Sequence, residues 1–194
     1  MDRQNAERRK GDGQNDIESV IGKSPLDWPV ERLFVYALVR AMKPYTVLEL
    51  GVSDGIGAVV ICRALTENAR GKYCGVDDWS HEYGGRSDGR KVPRENTVRD
   101  GSSPEIMAFK TCDSLEYLKA QKDKTWGLVI VDANHSYESA LADIREARRV
   151  AREIVLVHDM GTEPGVTKAC LAQDVPGVYI PSSRGYWMWS APCE

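Results

Sequence analysis

Little in this chain points toward a membrane, a metal cage or a nucleic acid. No apolar run approaches the roughly 18 residues of a membrane span. The N-terminal stretch lacks an apolar signal core, so a cytoplasmic location is expected. The five cysteines, at 62, 74, 112, 170 and 193, are odd in number and form no C-x-x-C. That argues against a disulfide framework or a zinc site and fits reduced, mostly buried thiols. The net charge is −3, without the basic excess that phosphate backbones require, so no nucleic-acid partner is expected. No internal repeat and no second domain emerge. A G-x-G-x-x-G dinucleotide fingerprint is also missing, which disfavours a nicotinamide oxidoreductase.

What is present fits a globular chain of one domain. Its 194 residues are 42% hydrophobic and 28% charged, enough for one sizeable core. Residues 1–16 carry many charges but no aromatic or β-branched residue, and are expected to be a disordered tail. The domain is then 17–194.

The chain is organised around Val47 to Ala64, VLELGVSDGIGAVVICRA. A short apolar strand runs into glycines at 51, 55 and 57, and then into a small-residue helix. Such a unit opens nucleotide-binding α/β folds. Its glycines tolerate positive φ and let a ligand approach the backbone, and the free N–H groups at the helix start face that ligand. A tight turn without a ligand would use the same residues. The spacing is Glu49-x-Gly51-x-x-x-Gly55-x-Gly57, with Ser53 inside it.

The remaining elements follow from periodicity and punctuation. A helix over 28–43, capped by Asp27 and ended at Lys43-Pro44, precedes the first strand at about 45–50. Helix 55–68 and strand 72–77 come next. That strand ends in Asp77-Asp78, about 20 residues past the glycines, where a carboxylate can accept hydrogen bonds from both hydroxyls of a ribose; a solvated loop carboxylate is the plain alternative. Residues 79–105 show no apolar period. They read either as a mobile loop or as a lid over the crevice, with Trp79, His81 and Tyr83 lining a substrate and Arg86, Arg90, Lys91 and Arg94 favouring an anionic one. A strand at 106–112 leads into a helix at Asp113-Ser114, where Asp113 can be an N-cap. Trp126 to Asp132 is the clearest central strand, apolar throughout as burial on both faces requires. Helix 136–151, strand 153–159 and a short helix at 164–173 follow. Segments 178–181 and 186–190 form a closing hairpin around Ser182-Ser183-Arg184-Gly185.

The glycine pattern resembles motif I of the class I S-adenosylmethionine-dependent methyltransferases. The resemblance implies an α/β, Rossmann-like three-layer sandwich, with a mostly parallel seven-stranded sheet and an antiparallel final strand. It implies S-adenosylmethionine as cofactor, held by Glu49, Gly51, Ser53, Gly55, Gly57, Asp77, Asp78, Asp113, Ser114 and Asp132. Asp113 would meet the adenine amino group, a role compatible with capping.

The segment VIVDANHSYESALADI, followed about 25 residues on by LVHD, is similar to the small-molecule and sugar O-methyltransferase branch of that superfamily. This likeness covers about residues 45–160. It implies methyl transfer to oxygen of a small polar acceptor such as a sugar or natural-product intermediate. His135 would be the general base and Asp132 its catalytic partner. In metal-dependent members the acids matching Asp132 and Asp159 hold Mg²⁺. Here Met160 stands where those relatives carry a further oxygen ligand. His135 could instead be a plain residue at a helix start, Asp132 a holder of a backbone N–H, and His158 a structural histidine. A protein that binds S-adenosylmethionine without transferring methyl is the competing reading. A homodimer through the first helix or the last strands is compatible with the sequence.

Overall fold

Strand β4, Trp126–Val131, lies at the centre of the sheet and is buried at every position. Its side chains alternate between two cores. Leu128 and Ile130 face one, and Val129 and Val131 face the other. That division explains the unbroken apolar run, since neither face of the strand meets water. The computed structural model describes residues 17–80 and 90–192. The expected tail at 1–16 and the candidate lid residues His81, Tyr83 and Arg86 lie outside this range.

The sheet has seven strands in the order β3-β2-β1-β4-β5-β7-β6. Their ranges are β1 Thr46–Leu50, β2 Lys72–Asp77, β3 Met107–Thr111, β5 Ala151–Val157, β6 Val178–Ile180 and β7 Tyr186–Ser190. Strands β1 to β5 pair in parallel. Strand β7 is antiparallel to both of its neighbours, β5 and β6. The closing hairpin is therefore present, and its second strand sits between the first and the rest of the sheet.

Helices α1 (Val30–Met42) and α2 (Ile56–Glu67) cover one face. Val35, Val39, Val59, Val60 and Ile61 pack there on Val47, Leu128 and Leu156. Helices α4 (Ser114–Lys119), α5 (Tyr137–Val150) and α6 (Pro164–Leu171) cover the other. Leu118, Ile144, Ala147 and Val166 meet Leu48, Leu50 and Val155 on that side. The result is the expected Rossmann-like three-layer α/β sandwich with an antiparallel last strand. Among the described residues no helix is long and apolar enough to cross a membrane.

Three local expectations need correction. Asp27 does not cap α1: it closes a 3₁₀ turn, Pro25–Asp27, that Ser24 caps, and Pro29 occupies the N-cap position of α1 without a side-chain bond. Ala151 does not belong to α5, because the chain passes straight from Val150 into β5. The stretch 79–105 is not wholly irregular, since helix α3 spans Lys91–Arg99 and a 3₁₀ turn follows at Pro104–Ile106. Helix α3 buries only Pro93 and Thr97, too thin a face to show as a period. It packs beside α2, where Arg63 Nε and Nη2 grip the Asp100 carboxylate at 2.9 Å each.

The first crossover depends on a close backbone approach. Gly51 has φ +83°, and a Cβ there would lie 2.0 Å from the Asp132 carbonyl oxygen. Its N–H donates to Val76 O at 2.9 Å, and Asp132 N–H donates to Leu50 O at 2.8 Å. Gly51→Ala must therefore part the ends of β1 and β4 besides adopting an unfavourable φ. Urea unfolding of this variant is expected to show a loss of roughly 2–4 kcal/mol.

Candidate active site

The strand ends β1, β2 and β4 bring the glycine loop against three acids. The order of strands reverses between β1 and β4, so their helices leave to opposite faces and open a crevice at the carboxyl edge. Gly55, with φ +87°, is the N-cap residue of α2. Asp77, at the end of β2, holds the loop: its Oδ2 accepts from Val52 N–H at 2.8 Å and Ser53 N–H at 2.9 Å. Its Oδ1 accepts from Trp79 N–H at 2.7 Å. The Trp79 indole N–H reaches back to Ser53 O at 3.4 Å. Asn96 of α3 donates to Asp54 O at 3.0 Å. Part of the expected lid is thus fixed beside the loop, and the exposed Lys91 lies 3.8 Å from Glu95 along α3.

Glu49 lies beneath the loop. It is 5% exposed and accepts a short hydrogen bond from the Tyr73 hydroxyl. Gly57 makes room for it, since a Cβ there would sit 1.9 Å from Glu49 Oε1. Burial pushes the Glu49 carboxyl up to about 8 despite the Tyr73 bond, with nearby Asp132 adding to the rise. Asp78 accepts from Ser80 N–H at 2.8 Å in an Asx turn. Asp113 is the N-cap of α4, accepting from Glu116 N–H at 2.9 Å. The Ser114 hydroxyl donates to Asp143 of α5 at 2.7 Å.

Asp132, His135, His158 and Asp159 converge at the ends of β4 and β5. His135 Nε2 lies 3.2 Å from Asp159 Oδ2 and 3.8 Å from Asp132 Oδ1, and its Nδ1 is 4.0 Å from Glu163. The ring is half-exposed, and its pKa is raised, first by Asp132, against the opposing effect of burial. His158 is buried. Its Nδ1 is 3.1 Å from Asp132 Oδ1 and 3.3 Å from Asp159 Oδ1, and its Nε2 is 3.3 Å from Glu31 Oε1. Burial favours neutral imidazole, yet Asp132, Glu31 and Asp159 outweigh it and push the pKa up to about 10. The surrounding carboxylates thus favour the imidazolium form of His158, which disfavours it as a base. Burial would raise the Asp132 carboxyl, but His158 and His135 hold it below the usual range.

Four participants carried no local sequence signal. Glu31, on α1, is buried and accepts from the Ser182 and Ser183 hydroxyls at 2.9 and 3.0 Å and from Arg184 N–H at 3.3 Å. Burial opposes its ionisation, but His158 and the serines lower its pKa to about 2. Arg184, in the β6–β7 turn, binds Asp159 through Nε, and through Nη2 at 2.9 Å. Glu163 stands 3.9 Å from Arg184 Nη2. Arg32 lines a recess with Glu49, Asp132, His158 and Tyr186. No hydrogen bond or ion pair of its guanidinium occurs among the described residues.

The expected Mg²⁺ pair, Asp132 and Asp159, is thus brought together, but the donor set does not fit that ion. Mg²⁺ takes near-octahedral oxygen ligands and keeps several waters. Here a charged histidine stands between the two acids, and a guanidinium takes both oxygens of Asp159.

A family model described as a methyltransferase domain matches residues 48–160. Several solved structures share the fold. An O-methyltransferase from Bacillus cereus, in complex with S-adenosylhomocysteine, is 14% identical with TM-score 0.64, over 97% of this chain and 88% of that one. A protein described as a putative O-methyltransferase from Klebsiella pneumoniae is 16% identical with TM-score 0.64, over 84% and 80%. The O-methyltransferase TomG from Streptomyces achromogenes, in complex with S-adenosylmethionine, is 15% identical with TM-score 0.60, over 82% and 78%. A search of the curated proteins finds no match.

The titrations give a stability profile. In the unfolded chain Glu49 ionises near its ordinary 4.5, whereas the folded state keeps the proton up to about 8. The folded state thus binds more protons across that window, and stability falls as pH rises through it. The stabilisation from His158 is complete below its ordinary 6.5 and is lost as pH rises toward about 10. Chemical denaturation should therefore show declining stability from pH 5 to pH 10. Glu49→Gln should flatten the part below pH 8, a difference on the order of a few kcal/mol.

Proposed function

The chain belongs to the methyltransferase-domain family, and from that premise we propose that it transfers a methyl group from S-adenosylmethionine to a hydroxyl oxygen of a small polar molecule. A sugar or a natural-product intermediate is the acceptor class. The observation that carries this reading is the placement of His135. Its buried Nε2 lies 3.2 Å from Asp159 and 3.8 Å from Asp132 with no hydrogen bond formed, while the ring remains half-exposed at the crevice. Carboxylates at Nε2 favour the proton there and leave Nδ1 free to accept one. His135 would take the proton of an acceptor hydroxyl at Nδ1, with Asp132 and Asp159 orienting the ring and stabilising the imidazolium, as a buried acid does in a hydrolase triad.

When bound, S-adenosylmethionine supplies the methyl group on a positively charged sulfur, and with it the driving force. The chain's own task is to hold the reactants in line and manage the proton. The loop Gly51–Gly57 would present Ser53 and the N–H groups at the start of α2. Asp77 keeps lone pairs for a ribose beyond those given to the loop, with Asp78 and Asp113 nearby at the same edge, and Ser114 behind Asp113. Glu49, protonated in its buried seat, would support the loop from below. Asp132 would receive the cofactor's ammonium, and Arg32 in the adjoining recess, whose guanidinium has no partner among the described residues, suits its carboxylate.

Titration calorimetry with S-adenosylmethionine is the first test, with micromolar binding expected. Asp77→Ala should weaken it, by releasing the loop as well as by removing an acceptor. His135→Asn should leave binding within about threefold and lower transfer by roughly 100-fold or more. Because the pKa of His135 is raised, the rising limb of the pH–rate profile should lie above the ordinary 6.5 and move to lower pH in Asp132→Asn. Tight cofactor binding with no transfer to any hydroxyl would favour a protein that binds S-adenosylmethionine without methylating.

A further inference from the structure

Two groups of side chains place donor atoms close enough to share one cation: Asp132, His158 and Asp159, and His135, Asp159 and Glu163, with donor atoms within 4.8 Å of one another in each. Asp159 belongs to both, and it is 1% exposed. Its two carboxylate oxygens are already taken by Nε and Nη2 of Arg184. The same guanidinium lies 3.9 Å from Glu163. One side chain from the β6–β7 turn therefore engages an acid of each group. We propose that Arg184 is a built-in replacement for a divalent cation, neutralising the carboxylates at the ends of β4 and β5 so that the site works without a bound metal.

The charge balance supports this. Glu31, Asp132, Asp159 and Glu163 are four carboxylates around one small volume. His158 lies among the first three, with Nε2 toward Glu31 and Nδ1 toward Asp132 and Asp159. Its single Nδ1 faces two acids and cannot satisfy both oxygens of Asp159. Arg184 supplies a permanent charge in a planar fork, which matches a carboxylate in two parallel bonds and cannot be deprotonated near neutral pH. The fork is itself fixed, because Arg184 N–H donates to Glu31 and Gly185 N–H donates to Ser182 Oγ. Metal-dependent chemistry asks the ion for positive charge and for orientation of the acids. Arg184 delivers both at Asp159, the residue that orients His135. The inference rests on the proposed site but not on the identity of any acceptor.

The test is binding of Mn²⁺, followed by electron paramagnetic resonance, to wild type, Arg184→Met and Arg184→Lys. Wild type is expected to bind no Mn²⁺ stoichiometrically at millimolar ion. Arg184→Met frees both Asp159 oxygens and should bind one Mn²⁺, with affinity raised roughly tenfold or more for the positive charge removed, competed by Mg²⁺ and lost on adding Asp159→Asn. Arg184→Lys keeps a cation and should stay metal-free. Circular dichroism shows whether each variant is folded. One-to-one Mn²⁺ binding by wild type that Asp159→Asn abolishes would overturn the proposal, whether or not any variant folds. A folded Arg184→Met that gains no ion would overturn it as well. Failure of S-adenosylmethionine to bind would sink the methyltransferase reading and leave these metal titrations readable.

Discussion

The buried imidazolium of His158 ties together parts of the chain that share no local contact. One nitrogen faces Glu31 on α1; the other faces the acids that end β4 and β5. A charge in such a place is tolerated only when it is compensated, because its desolvation would otherwise cost several kcal/mol. The three carboxylates that compensate it are in turn held by it, with Glu31 and Asp132 kept ionised well below their ordinary values. The orientation of His135 depends on that arrangement, since the same Asp132 and Asp159 face its Nε2. Arg184 completes the balance from a turn of the hairpin. The proposed base therefore stands in the open crevice on a foundation whose core, Glu31, His158 and Asp159, is buried.

On the other side of the crevice the organising constraint is steric. The ends of β1 and β4 approach so closely that only glycine fits at position 51, and the seat of Glu49 exists only because position 57 lacks a Cβ. Asp77 then fastens the loop through its backbone N–H groups. A loop held in this way can meet a ligand with main-chain donors already aimed, so little conformational entropy is left to lose on binding.

The fold was largely legible in the sequence because its central strands are buried on both faces and its helices alternate with its parallel strands. Runs such as Trp126 to Asp132 admit few other readings. Helix α3 was not legible, because two buried residues in nine leave no period to detect. Asp27 was misread because a local cap rule cannot foresee that Ser24 caps an earlier turn. In the site, Asp132 and Asp159 stood out through their position at strand ends, and His135 through the resemblance of its segment to the O-methyltransferase branch. Glu31 looked like one more polar residue on an amphipathic helix, and Arg184 like turn punctuation. Their meaning lies in each other and in His158, and long-range pairing of this kind leaves no trace in spacing.

The insertion of β7 between β5 and β6 bears on how the molecule is made. Ser182 and Glu31, which meet in the finished site, are 151 residues apart in the chain. Contacts of such separation require large loops to close and tend to form late, after the local strand–helix units have supplied a surface to dock on. The β6–β7 hairpin can deliver its arginine only once β5 is in place to receive it. Until then the carboxylates at the ends of β4 and β5 have only His158 between them as a countercharge. Completion of the proposed site and completion of the sheet are thus a single event, so a partly folded chain would present a glycine loop without the guanidinium fork that holds Asp159 beside His135.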